Sequence, residues 1–125
     1  MKIYLGADHR GFELKEKIKE WLREWGYDYE DMGAFELDPE DDYVDFVSKA
    51  AGKVSHDPEN SKAIILGKSG QGEAIVANKF RDVRAVVYYG GNEEIISLSR
   101  QHNDANVLSL GAYFIDESIA KRIIK

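Results

Sequence analysis

Lys62-Ala63-Ile64-Ile65-Leu66-Gly67-Lys68-Ser69-Gly70-Gln71-Gly72-Glu73 runs from a short apolar stretch through a glycine-rich loop and into a segment, Gly72 to Lys79, that reads as helix. An apolar run this short, closed by glycine, predicts a strand buried on both faces. The alternation extends in both directions. Upstream, Lys2 to Leu5 predicts a strand, and Phe12 to Trp25 sets Leu14, Ile18, Trp21, Leu22 and Trp25 at helical spacing up to Gly26. Tyr27 to Met32 predicts a second strand and Gly33 to Asp42 a loop. Tyr43 to Val54 predicts a helix with Phe46, Val47, Ala50, Ala51 and Val54 on one face. Downstream, Arg84 to Tyr88 and Asn106 to Leu110 predict strands, and Glu93 to Gln101 and Phe114 to Ile124 predict helices, the last turning Ile115, Ile119, Ile123 and Ile124 inward.

Five strands alternating with five helices imply right-handed crossovers and a doubly wound, Rossmann-like α/β fold, with a five-stranded parallel sheet covered on both faces. Its 125 residues suit one domain, 1–125. In such sheets ligands bind beyond the carboxyl ends of the strands, near the point where strand order reverses. That rule selects Gly6 to Gly11, Gly33 to Tyr43, Gly67 to Glu73, and Gly90 with Gly91.

Composition narrows the function. Hydrophobic residues make up 43% and charged residues 32%, the mixture of a water-soluble globular chain. No apolar run reaches the roughly 20 residues needed to span a bilayer. The amino terminus has no long apolar segment with a cleavage site, so the expected compartment is the cytoplasm. A net charge of -6 disfavours nonspecific nucleic-acid binding. Cysteine is absent, which removes thiolate ligands and thiol nucleophiles. The acidic stretch of Glu36, Asp38, Glu40, Asp41 and Asp42 reads as a solvated loop without a function.

Three polar segments stand out. Asp8-His9-Arg10 follows the first strand, where Asp8 either caps the next helix or joins a site. Gly67 to Glu73 brings backbone N–H groups to a helix start and suits an anion or oxyanion, but it lacks the lysine placement of a P-loop and the glycine spacing of dinucleotide folds. Within it, Glu73 is either a good first-turn residue or, beside a row of amides, a base for proton abstraction alpha to a carbonyl. Arg100 to Asn106 is polar beyond the needs of a connector between the fourth helix and the last strand, and His102 there is either a surface residue or an acid-base group. His56, beside Asp57-Pro58, reads as an ordinary loop histidine. A phosphorelay receiver would need an aspartate where Gly67 stands, and no histidine or carboxylate cluster has metal-ligand spacing.

Four pieces in order along the chain carry a resemblance: Gly6-Ala7-Asp8-His9 with Gly11-Phe12-Glu13-Leu14-Lys15; Asp42-Tyr43 with Asp45; Gly67 to Lys79, ending Ala77-Asn78-Lys79; and His102-Asn103-Asp104-Ala105-Asn106-Val107-Leu108. The chain resembles the sugar-phosphate isomerases of the ribose-5-phosphate isomerase B and galactose-6-phosphate isomerase family. That resemblance implies a cofactor-free aldose–ketose isomerase acting through an enediolate, built as a homodimer or homotetramer with active sites at subunit interfaces. Many members have a cysteine base where this chain has Gly67, and one branch has glutamate at the position of Glu73. By resemblance, Glu73 is the base, Ser69 with the amides of Gly70, Gln71, Gly72 and Glu73 is the enediolate hole, and His102 with Asp8 opens the sugar ring. His9, Tyr43 and Asn103 hold substrate, with Gly67 lining the pocket and His102 and Asn103 reaching it from a neighbouring subunit. Most relatives carry arginine where Tyr113 stands, and further arginines on a carboxyl-terminal helix that this chain does not include. Arg10 and Lys68, where relatives have small residues, are candidates for relocated positive charge. The competing expectations are a different or unphosphorylated sugar and a non-catalytic sugar-phosphate-binding module.

Overall fold

In the computed structural model, which describes residues 1–36 and 43–124, five strands form one parallel sheet in the order β2-β1-β3-β5-β4. These are β1 (Lys2–Ala7), β2 (Asp28–Asp31), β3 (Ser61–Gly67), β4 (Ala85–Tyr88) and β5 (Val107–Gly111). They alternate with α1 (Phe12–Glu24), α2 (Tyr43–His56), α3 (Gln71–Ala77), α4 (Glu94–Asn103) and α5 (Glu117–Ile124). All ten expected elements are present. β1 lies between β2 and β3, so the chain winds one way from β1 and then returns to its other side. That reversal puts the crevice between the loops that follow β1 and β3.

Strand periodicity splits the core into two layers. Leu5, Ala7, Ile64, Leu66 and Leu110 face one way and pack with Ile18, Trp21 and Leu22 of α1 and Ala120 of α5. Ala63, Ile65 and Val107 face the other way, against Val47, Ala50, Ala51 and Val54 of α2 and Ala77 of α3. The inward residues read from the spacing of α1 and α2 are in these layers, with Leu14, Trp25 and Phe46 at their margins.

Helix ends explain most boundary differences. α1 stops at Gly26, which takes φ +78°, while the Tyr27 N–H donates to the Leu22 carbonyl and the Gly26 N–H to that of Arg23, a Schellman closure. α5 starts three residues later than its apolar spacing suggests, because the Asp116 carboxylate accepts from the Ile119 N–H and so acts as its N-cap. Buried Ile115 lies in the preceding turn. His56 is the last, exposed residue of α2 rather than a loop residue. Of the acidic stretch, Glu36 is exposed and Asp38, Glu40, Asp41 and Asp42 lie outside the described residues.

Lys15 is the departure from the hydrophobic pattern. It is fully buried, and its Nζ donates to both Asp31 oxygens at 2.7 and 2.8 Å and to the Ala34 carbonyl. Burial pushes its pKa down and Asp31 opposes that shift. The pair fastens α1 to the end of β2, and the Ala34 N–H in turn donates to the Ala7 carbonyl at 2.7 Å, which fixes the end of β1.

Candidate active site

β3 ends at Gly67, and the chain then crosses Lys68, Ser69 and Gly70 into α3. Gly70 adopts φ +82°, a left-handed conformation that favours glycine at the helix start. Its carbonyl accepts from the fully buried Ser109 Oγ of β5 at 2.6 Å and from the Ala74 N–H at 3.1 Å. The Gln71 N–H donates to Ser69 Oγ at 3.3 Å. The Ala112 N–H donates to the Gly67 carbonyl at 2.8 Å. The end of β5 therefore holds the whole glycine loop in place.

Glu73, in the first turn of α3, turns back over this loop. A Cβ added to Gly67 would lie 2.3 Å from the Glu73 Cδ and 2.3 and 2.4 Å from its two carboxylate oxygens. The carboxylate thus occupies the space that any side chain at 67 would need. Glu73 is 5% exposed. Burial raises its pKa, and so does the negative charge of Asp8, while backbone hydrogen bonds at Glu73 and Gly70 oppose the rise. A carboxylate made more basic than usual and set against a backbone cradle is the arrangement that proton abstraction beside a carbonyl needs.

Asp8 is buried at the end of β1, close enough for its charge to act on Glu73, and its Oδ1 accepts from the Arg10 N–H at 3.0 Å. The Asp8 carboxylate therefore organises the turn ahead of α1, as a cap would, while its charge acts on Glu73. His9 follows, half-buried, on the same edge of the sheet. From the other face, the Tyr43 hydroxyl at the start of α2 sits over Gly72, 2.7 Å from where a Cβ would be. Arg10, Lys68 and the expected cradle residues Ser69, Gly70, Gln71 and Gly72 complete this edge.

His102 and Asn103 are not on it. They form the exposed last turn of α4 rather than a connector. That turn lies where β4 and β5 begin: Asp104 binds Arg84 at 3.1 Å, just ahead of β4, and the Asn106 Oδ1 accepts from the Arg84 N–H at 2.8 Å. β3 spans seven residues, so at about 3.3 Å per residue roughly 20 Å of sheet separates the two edges. Within one chain His102 does not meet Glu73.

A sequence model described as Ribose/Galactose Isomerase matches residues 3–125. The chain belongs to the ribose/galactose isomerase family. It is 41% identical over 111 residues to ribose-5-phosphate isomerase B of Mycobacterium tuberculosis, covering 89% of this chain and 67% of that protein. It is 38% identical over 123 residues to the Escherichia coli protein of the same name, covering 98% and 80% of the two chains. The crystal structure of ribose-5-phosphate isomerase B from Mycoplasma genitalium with bound ribulose-5-phosphate superimposes with a TM-score of 0.93 at 33% identity, over 98% of this chain and 80% of that one. As an isomerase-family member this chain has the doubly wound fold expected of it, and the packing of Glu73 against Gly67 leaves no room for a side chain at 67. A cysteine at 67 and this placement of Glu73 cannot share one space.

Two contributors to the isomerase-family site escaped the sequence reading. Ser109 supports the cradle from inside β5, and its signal is a single hydroxyl in the apolar run Val107-Leu108-Ser109-Leu110, where a buried polar group needs a partner. Lys15 fixes the ends of β1 and β2 from within α1, and nothing in the helical spacing separates it from its exposed neighbours. Among the described residues, no group of three histidine, cysteine, aspartate or glutamate side chains is placed to hold a metal ion, and no helix is long and apolar enough to cross a membrane.

Proposed function

We propose that this chain is an aldose–ketose isomerase that interconverts ribose 5-phosphate and ribulose 5-phosphate without a cofactor, as a homo-oligomer in the cytoplasm. The observation that carries the reading is the buried Glu73 carboxylate, raised in pKa and lying against Gly67 beside the amides of its own helix start. In the open-chain aldose, Glu73 takes the proton from C2 while the C1 carbonyl oxygen becomes the enediolate oxygen. Ser69 and the amides of Gln71 and Gly72, which the Glu73 carboxylate does not take, stabilise that oxygen, while those of Gly70 and Glu73 hold the carboxylate in place. Protonated Glu73 then delivers the proton to C1, the C2 hydroxyl proton is lost to the oxygen on C1, and the ketose results.

Asp8 and His102 assist ring opening, and His9, Tyr43 and Asn103 hold the sugar. Because His102 and Asn103 lie on the far edge of their own sheet, they serve the site of a second copy. The oligomer is then part of the chemistry, since a site drawn from one chain lacks one of its ring-opening groups.

Two measurements test this. Incubation with ribose 5-phosphate in deuterated water should give ribulose 5-phosphate and deuterium exchange at C2, both abolished by Glu73→Gln. Exchange with no phosphorylated sugar but with free sugars would overturn the substrate, and no exchange at all would favour a binding module. Refolding Glu73→Gln together with His102→Ala should recover about a quarter of wild-type activity, because half of randomly paired dimers carry one intact site of two. Continued inactivity of the mixture would overturn the shared site.

A further inference from the structure

Arg10, Lys68 and Tyr113 follow three different strands, β1, β3 and β5, and meet at the carboxyl edge of the sheet. The Arg10 guanidinium carbon lies 5.9 Å from the centre of the Tyr113 ring, and the Lys68 Nζ lies 5.4 Å from the same point. All three residues are exposed. Tyr113 is tied to the glycine loop, since its N–H donates to the Lys68 carbonyl at 3.2 Å, and the Arg10 N–H is tied to Asp8. The cluster is therefore anchored to the same two loops that carry Asp8 and Glu73.

Arg84, Arg100 and Arg122 each pair with a carboxylate, as do Lys2, Lys15 and Lys19. Among the described residues, neither Arg10 nor Lys68 has an acid within ion-pair distance. Two like charges drawn to one aromatic ring repel each other, and a cation–π contact at an exposed site is weak. An anion between or beside them removes that repulsion. A phosphomonoester suits the pair, because guanidinium offers a two-pronged fork to phosphate oxygens and ammonium a compact charge.

We propose that Arg10 and Lys68, both held by the Tyr113 ring, form the subsite for the substrate's phosphate. Tyr113 is a positioning residue, acting through the two cations. The inference rests on the isomerase reading above for the identity of the anion, though the anion site itself does not require it.

The test has a kinetic arm and a binding arm, both on the full chain. Ribose 5-phosphate kinetics are compared for wild type, Arg10→Gln, Lys68→Gln and the double variant, with unfolding curves confirming that these exposed changes leave the fold intact. Each single change should raise KM about tenfold, and the double more, with kcat within about threefold. Tyr113→Leu should raise KM and Tyr113→Phe, which keeps the ring, should restore it. Inorganic phosphate titrated into labelled protein should shift the Arg10 side-chain and Tyr113 ring NMR signals, and the double variant should lose the response. An unchanged KM in the double variant, or no phosphate response in wild type, overturns the subsite. Phosphate binding lost in the double variant of a protein whose wild type does not turn over ribose 5-phosphate would instead support the subsite and overturn the isomerase reading.

Discussion

Gly67→Ala separates the packing of the base from its chemistry. The added methyl carbon would fall 2.3 to 2.4 Å from all three atoms of the Glu73 carboxyl group, about 1 Å inside ordinary contact distance. Gly67 is not among the glycines with positive φ, so the alanine meets no backbone penalty. What must move is the end of a flexible side chain, and rotation of Glu73 relieves the clash at a cost at the low end of the 1 to 3 kcal/mol of overpacking, roughly. Replacing glycine also removes disorder from the unfolded chain, which offsets about 0.4 to 1 kcal/mol of that. Thermal unfolding should therefore shift by only a few degrees, about what 1 kcal/mol produces in a domain of this size. Activity should respond far more, since a positioned base contributes about 10²- to 10⁴-fold. We expect kcat for ribose 5-phosphate isomerisation to fall at least about 100-fold with KM nearly unchanged, measured by ketose formation and C2 deuterium exchange. Glu73→Gln should fall as far, and the double variant no further, because both changes remove one function. Gly67→Cys combined with Glu73→Ala should regain activity over Glu73→Ala alone, with the thiol taking the vacated space. A Gly67→Ala protein with wild-type kcat would refute the assignment of Glu73 as the base.

Two further outcomes follow from the same geometry. Because burial raises the Glu73 pKa, the native state binds its proton more tightly than the unfolded chain, so the associated stability is complete below the unfolded pKa and is lost as pH rises through the folded one. Glu73→Gln should therefore melt higher than wild type near neutral pH and lose that advantage in acid, while wild-type activity falls as Glu73 protonates; a variant that melts lower at neutral pH would contradict this. Ser109→Ala removes the 2.6 Å donor to the Gly70 carbonyl, which keeps the Ala74 N–H, and should cost about 0.5 to 1.5 kcal/mol in denaturant unfolding, with a lower kcat, whereas a wild-type unfolding curve would show that the cradle needs no support from β5.

What was legible in the sequence follows from the range of each interaction. The ten elements were readable because strand and helix periodicities are local, and Gly26 carries its own stop signal. The Gly67 to Glu73 loop was readable as a site because glycines between a buried strand and a helix constrain the backbone locally. Lys15 was not readable as buried, since its partners Asp31 and Ala34 are brought to it only by the pairing of β1 with β2. Tyr113 read as a loss of positive charge, because a single position cannot show that Arg10 and Lys68 converge on its ring from two other strand ends.

His102 marks the deepest limit, and the reason lies in the winding of the fold. In a parallel sheet with helical crossovers, each helix begins at the carboxyl edge and returns the chain to the opposite one. A residue in the last turn of α4 is therefore carried away from Glu73 in the first turn of α3, whatever its chemistry. The family resemblance implies one functional set for Glu73 and His102, while topology puts them on opposite edges of one chain. Both hold only if the far edge of one molecule faces the near edge of another. On the function proposed here, the exposed end of α4 is half of a neighbour's site, and assembly, rather than folding, is the step at which this chain would acquire its ring-opening histidine.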